Sequence, residues 1–121
     1  MVALPIIAVV DDDPGVRGSI DSLLRSAGLG CLTFDSGEHL MTSGLVTTAS
    51  CVVTDLHLPG MSGLELQSQL AMRGFHRPLV LMTAYPTETI RHAAVAGGAV
   101  AFLTKPIDPE ALLKLLLMHS R

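Results

Sequence analysis

The chain has 121 residues, 49% of them hydrophobic, with 11 acidic side chains against 8 Lys and Arg for a formal charge of −3. That length supports one domain, residues 1–121, with a core that needs no disulfide or metal staple, and the scattered cations lack the basic stripe of a nucleic-acid binder, so any DNA contact lies outside these residues. No run reaches about 18 apolar residues and the apolar stretch Ala3 to Val10 has no basic flank, which predicts a soluble, unexported, cytoplasmic chain without a membrane segment.

In chain order, Leu4 to Val10 is nearly all aliphatic, as a buried central strand should be. Asp13 and Pro14 suit a helix N-cap and first helical residue. Val16, Ile20, Leu23, Leu24 and Ala27 then fall at helical spacing up to Gly28. Cys31 to Phe34 reads as a second strand, and Glu38 to Met41 as part of a second helix ending near Gly44. Ser50 to Thr54 forms a third strand ending at Asp55, followed by a loop from Leu56 to Gly63 with Pro59-Gly60 as its turn signal. Ser62 and Glu65 have capping-box spacing for a third helix carrying Leu66 and Leu70. Pro78 opens a fourth strand through Leu79 to Met82 and on to Thr83. Pro86 or Thr87 then starts a helix with Ile90, Ala93 and Ala94 that stops at Gly97-Gly98. Val100 to Leu103 is the fifth strand. Asp108 and Pro109 again look like cap and first residue, for a last helix carrying Leu112, Leu113, Leu115, Leu116, Leu117 and Met118. Alternating strands and helices of this kind predict an α/β fold with a parallel sheet covered on both faces.

Four of these strands run into polar residues: Asp11 with Asp12, then Asp55, Thr83 and Lys105. In a parallel sheet all of them open onto one edge. Three carboxylates gathered there would repel by about 4 kcal/mol per pair at 4 Å and an effective dielectric near 20, so a cation between them is expected, with Asp55 as acceptor of a transferred group. Taken singly, each residue has a plainer role: Asp13 a helix cap, the acidic trio a solvated turn, Thr83 a strand terminus, Lys105 a loop cation, Phe102 a core residue. Cys31 and Cys51 sit in apolar runs as small buried hydrophobes, which suits a reducing compartment. His39, His76, His92 and His119 show no ligand spacing and are expected at the surface.

Val-Val-Asp-Asp-Asp-Pro at 9–14, Thr-Asp-Leu-His-Leu-Pro-Gly-Met-Ser-Gly-Leu-Glu-Leu at 54–66, Met-Thr-Ala at 82–84 and Phe-Leu-Thr-Lys-Pro at 102–106 together resemble the receiver domain of two-component response regulators. The middle block is most similar to the nitrogen-fixation, FixJ-like branch. The resemblance implies a (βα)5 doubly wound, flavodoxin-like sheet of five parallel strands in the order 2-1-3-4-5, with its site at the carboxyl ends of the strands. It implies Asp55 as phosphoacceptor from a histidine kinase or phosphotransfer protein, and Mg2+, or Mn2+ in its place, held by Asp12, Asp55 and the His57 backbone carbonyl, with Asp11 direct or through water. Lys105 and Thr83 would meet phosphoryl oxygens, Phe102 would turn inward as Thr83 shifts, and Lys105-Pro106 would be cis. The face of fourth helix, fifth strand and fifth helix would then dock an output domain or form a weak, phosphorylation-enhanced homodimer. The crowded apolar residues of the last helix fit such a face. The domain would promote only its own phosphorylation and dephosphorylation.

Two positions are less standard. His57 and Tyr85, each two residues past a site residue, flank the path of an attacking water and are expected to set the lifetime of the acyl phosphate. Ile107 stands where relatives often have an aromatic residue. Two other functions stay open on the residues alone. Asp11-Asp12-Asp13 contains the D-x-D pattern of haloacid-dehalogenase-like phosphatases, although Pro14 follows directly and Asp55 would be idle. A flavodoxin-like cofactor binder shares the topology but would want a phosphate-binding loop where this chain places acid.

Overall fold

The computed structural model describes residues 4–119. Its elements are β1 (Ile6–Val10), α1 (Pro14–Ser26), β2 (Gly30–Phe34), α2 (Gly37–Thr42), a 3-10 turn (Val46–Thr48), β3 (Cys51–Asp55), α3 (Gly63–Met72), β4 (Leu79–Thr83), α4 (Glu88–Ala96), β5 (Ala101–Thr104) and α5 (Pro109–His119). All strand pairs are parallel, in the order β2-β1-β3-β4-β5. The chain order therefore reverses direction between β1 and β3, which leaves a crevice at the carboxyl ends of these two strands.

Strand periodicity sorts the core into two halves. Ile7, Val9, Cys51, Val53, Val80 and Met82 pack on one face with Ile20 and Leu24 of α1 and Leu112 and Leu116 of α5. Ala8, Val10, Val52, Leu79 and Leu81 pack on the other with Leu40 of α2, Leu66 and Leu70 of α3 and Ala94 of α4. Both faces of the central strands are covered, so these strands read as unbroken aliphatic runs.

The helix starts follow from local chemistry. Asp13 accepts from the backbone N–H groups of Gly15 and Val16, with Pro14 inside the first turn. Ser62 and Glu65 form both halves of a capping box on α3. Thr87 caps α4 through the Ile90 N–H, and Asp108 accepts from the Glu110 N–H at the start of α5. Several strand boundaries differ from expectation: β2 begins at Gly30 and β3 at Cys51, and β5 ends at Thr104. β1 begins at Ile6, leaving Leu4 exposed, and β5 begins at Ala101, leaving Val100 exposed. In both cases apolar composition extends past the last residue that has a neighbour to cover it. The 3-10 turn at Val46–Thr48 has no apolar period and was not anticipated. His39, His76 and His92 are exposed, whereas His119 is half-buried at the end of α5.

Candidate functional site

Continuing the register that pairs Val9 with Val53 by two residues sets Asp11 beside Asp55. Both carboxylates follow the side-chain parity of the α1/α5 face. Lys105 follows Ala101 and Leu103, which pack on the same face. Asp11 is fully buried and Asp55 nearly so, a placement that a carboxylate tolerates only with a partner. The partner is the Lys105 ammonium, whose Nζ lies 2.7 Å from Asp11 Oδ2 and 3.0 Å from Asp55 Oδ2. Partial burial alone would lower the lysine's pKa. Hydrogen bonds to Asp11 and Asp55, and their charges, outweigh it and hold the group above its ordinary value.

The remaining carboxylate oxygens are oriented by backbone. Asp11 Oδ1 accepts from the Asp13 N–H at 2.9 Å, and Asp55 Oδ1 from the His57 N–H at 3.3 Å. Asp12 is exposed. Asp11, Asp12 and Asp55 each present an oxygen within 4.8 Å of the others. The set is all oxygen, as a small hard cation requires, and the formal sum of three carboxylates and one ammonium is −2, the charge that a divalent ion balances.

Thr83 ends β4 fully buried on the opposite side-chain parity, where its Oγ1 accepts from the Tyr85 N–H at 3.0 Å. That bond leaves the hydroxyl proton free. Phe102 pairs in register with Leu81 and packs half-buried against the α2/α3/α4 half of the core, the face that Thr83 shares. The exposed rings of His57 and Tyr85 meet edge to face with centroids 5.9 Å apart. Lys105-Pro106 is cis, and Ile107 packs against the α1/α5 half of the core. Asp13, the second acid that a D-x-D phosphatase would use, is instead committed to its helix cap.

Three contacts around the site were not foreseen. Arg17 Nη1 donates to the Asp11 carbonyl at 2.7 Å, tying α1 to the turn that carries the acidic pair. Glu38 of α2 accepts from the Met61 N–H at 3.0 Å. Gln67 of α3, buried, donates to the Ala94 carbonyl of α4 at 3.0 Å. Each joins a side chain to the backbone of another element, and no local pattern encodes such a bond. Gly63 is also constrained: a Cβ there would collide with the Asp55 carbonyl.

A model of the response regulator receiver domain matches residues 7–117. Nodulation protein W of Bradyrhizobium diazoefficiens is 39% identical over 89% of this chain and 48% of its own length. The transcriptional regulatory protein FixJ of Azorhizobium caulinodans is 38% identical over 92% of this chain and 52% of its own. The chain thus spans about half the length of these curated relatives. Among solved structures, the chemotaxis protein CheY4 of Vibrio cholerae superposes with a TM-score of 0.89 at 25% identity, covering 97% of this chain and 99% of that one. Sheet order, acidic pocket and sequence similarity converge, and the chain belongs to the response regulator receiver domain family.

Proposed function

We propose that this receiver domain takes a phosphoryl group onto Asp55 from a histidine kinase or phosphotransfer protein. The observation that carries the proposal is the Lys105 ammonium set between two buried carboxylates that lie 94 and 50 residues away in sequence. In the transfer, an Asp55 oxygen bonds to phosphorus as the nitrogen–phosphorus bond of the donor phosphohistidine breaks, its electron pair returning to the imidazole. Positioning and charge neutralisation do most of the work in such a step. The His57 N–H orients the Asp55 carboxylate, while Lys105 and the Thr83 hydroxyl proton take phosphoryl oxygens. Asp12, Asp55 and the His57 carbonyl, with Asp11 direct or through water, would hold Mg2+ or Mn2+. When bound, the ion supplies positive charge beside the transferring group.

Phosphorylation then draws Thr83 inward and lets Phe102 follow, altering the face of α4, β5 and α5. Their shared side of the sheet supports that coupling, provided the phosphoryl group contacts one conformer better than the other. Leu117 and Met118, exposed on α5, suit a weak homodimer or an output domain on this face. His57 and Tyr85 modulate dephosphorylation by flanking the path of water. Residues 1–121 form one receiver domain that promotes only its own phosphorylation and dephosphorylation. Transcription-regulator relatives support a role in controlling an output domain, with no DNA contact by these residues. The domain works in the cytoplasm; no helix among the described residues is long and apolar enough to cross a membrane.

Intact-mass measurement after incubation with acetyl phosphate and Mg2+ tests the acceptor. Wild-type protein should gain one phosphoryl group and Asp55→Asn none. Equal labelling of the two would refute the assignment.

A further inference from the structure

We infer that Glu38 is a positioning residue for phosphoryl transfer at Asp55, acting by holding the loop that carries His57. The inference rests on Asp55 being the acceptor. Its ground is a grip on that loop from the first turn of α2. Glu38 Oε2 accepts from the Met61 N–H at 3.0 Å across 23 residues of sequence. Gly60, just before, has φ +72°, a left-handed conformation that costs glycine nothing. A Cβ there would collide with the same Glu38 oxygen, so the carboxylate lies directly against the turn. From the neighbouring position, a Cβ on Gly37 would stand 3.2 Å from the Met61 sulfur and 3.5 Å from Leu66 Cδ1. Two successive residues of α2 therefore clamp Gly60 and Met61, one by a hydrogen bond and one by close packing.

The two ends of this loop are fixed independently. Leu56 N–H donates to the Met82 carbonyl at 2.8 Å, and Gly63 N–H to the Leu56 carbonyl at 2.9 Å. Between them runs the segment from His57 to Ser62, and its hydrogen bond to the acceptor, from the His57 N–H to Asp55 Oδ1, is long at 3.3 Å. A long bond is the first to be lost when its donor drifts. The same residue is proposed to give its carbonyl to the metal, so drift would weaken the ion's hold as well. Groups that orient a metal ligand without touching the metal act in this way.

The test compares wild-type protein with Glu38→Ala and Glu38→Gln. The readouts are hydrogen exchange at the Met61 amide without metal, Mg2+ affinity by calorimetry, and acetyl phosphate labelling by intact mass. Glu38→Ala should lose protection at Met61, bind Mg2+ about tenfold more weakly and label slowly below metal saturation. Glu38→Gln retains an accepting oxygen and should restore all three. Gly60→Ala should act in the same direction, and in the Glu38→Ala background it should keep only the cost of its left-handed backbone, because the collision with the carboxylate is gone. Lost protection at Met61 with wild-type Mg2+ affinity and labelling would reduce Glu38 to a tether and overturn the inference, as would unchanged protection in Glu38→Ala. Wild-type protein that takes no label at Asp55 would overturn the acceptor assignment and this inference with it. The Asp55→Asn control separates the two failures.

Discussion

The centre and the edges of this sheet are built differently. Every residue of β3 and β4 is buried, and all of β1 but its first. At the far edge no residue of β5 is fully buried, and α4 beside it buries Ala94 alone. Asp55 and Thr83 end central strands and Asp11 directly follows one, whereas Phe102 lies on the edge strand. The two buried carboxylates are thus carried on strands paired on both sides, while the lysine that neutralises them is tied to the centre by its backbone N–H, which donates to the Thr83 carbonyl at 2.8 Å. The segment proposed to respond lies where few apolar contacts oppose its movement, the usual place for low local stability. Thr83, in register with Thr104, joins the two regions.

The sharpest way to break this contrast is to cut one side chain in each region. Leu81 and Phe102 are register partners, one fully buried and one half-buried. Leu81→Ala should cost about 3 to 4 kcal/mol in urea unfolding, the range for a buried leucine whose cavity cannot collapse. Phe102→Ala should cost about 1 to 2 kcal/mol, despite removing more atoms, because part of its surface already meets water. Equal costs would mean that β5 is as firmly held as β4.

Charge at the centre gives a second, smaller effect. Lys105→Ala leaves buried Asp11 and Asp55 without their cation. Metal-free protein should lose about 2 to 3 kcal/mol, somewhat less than for a fully enclosed pair because the lysine is partly open to solvent. Mg2+ should close part of that gap, since an ion that binds only the folded state stabilises it by mass action. Phe102→Ala should show no such rescue beyond what wild type gains. If Mg2+ stabilised neither wild type nor Lys105→Ala, the acidic cluster would not be a cation site.

How much of this was legible in the sequence follows from the same division. The site's side chains sit at strand ends, and a strand announces its end where an aliphatic run meets a polar residue. Asp11, Asp55 and Thr83 were therefore readable before any fold was known, as were the caps Asp13, Ser62 and Asp108, whose partners lie two or three residues away. Arg17 on the Asp11 carbonyl, Glu38 on Met61 and Gln67 on Ala94 were not readable, because each partner is a backbone group with no residue-type signature. Composition also misled at the margins: Leu4 and Val100 look like strand residues but lie outside the strands and stay exposed. On α5 the excess of leucine was seen without knowing which residues turn inward. Leu112 and Leu116 are buried, while Leu117 and Met118 face out.

The two cysteines carry the contrast between centre and edge to its finest scale. Burial pushes the Cys51 thiol in β3 up to about 12, opposed by a hydrogen bond from the Val52 backbone. Burial does the same for Cys31 in β2, also to about 12, with the hydrogen bond and charge of Asp21 adding to it and Arg25 opposing. A thiol whose pKa is raised on folding stabilises fully below the unfolded value near 9, and that stabilisation is lost as pH climbs toward 12. Each cysteine should therefore remove about 1 kcal/mol of stability by pH 10, and Cys51→Ala should flatten the fall between pH 8 and 10 by that amount. At pH 8 both thiols should resist a disulfide reagent in native protein. Reaction then waits on opening of the fold, and here the positions diverge. Cys31 lies on the outermost strand, paired on one side only, so local fraying of β2 exposes it. Cys51 lies on a strand paired with both β1 and β4, and its exposure requires that the sheet itself come apart. Cys31 should thus be labelled first, with Cys51 following at the rate set by global unfolding. Simultaneous labelling of the two would show that the outer strand opens only with the whole domain, and the distinction between a fixed centre and a yielding edge would not extend to β2.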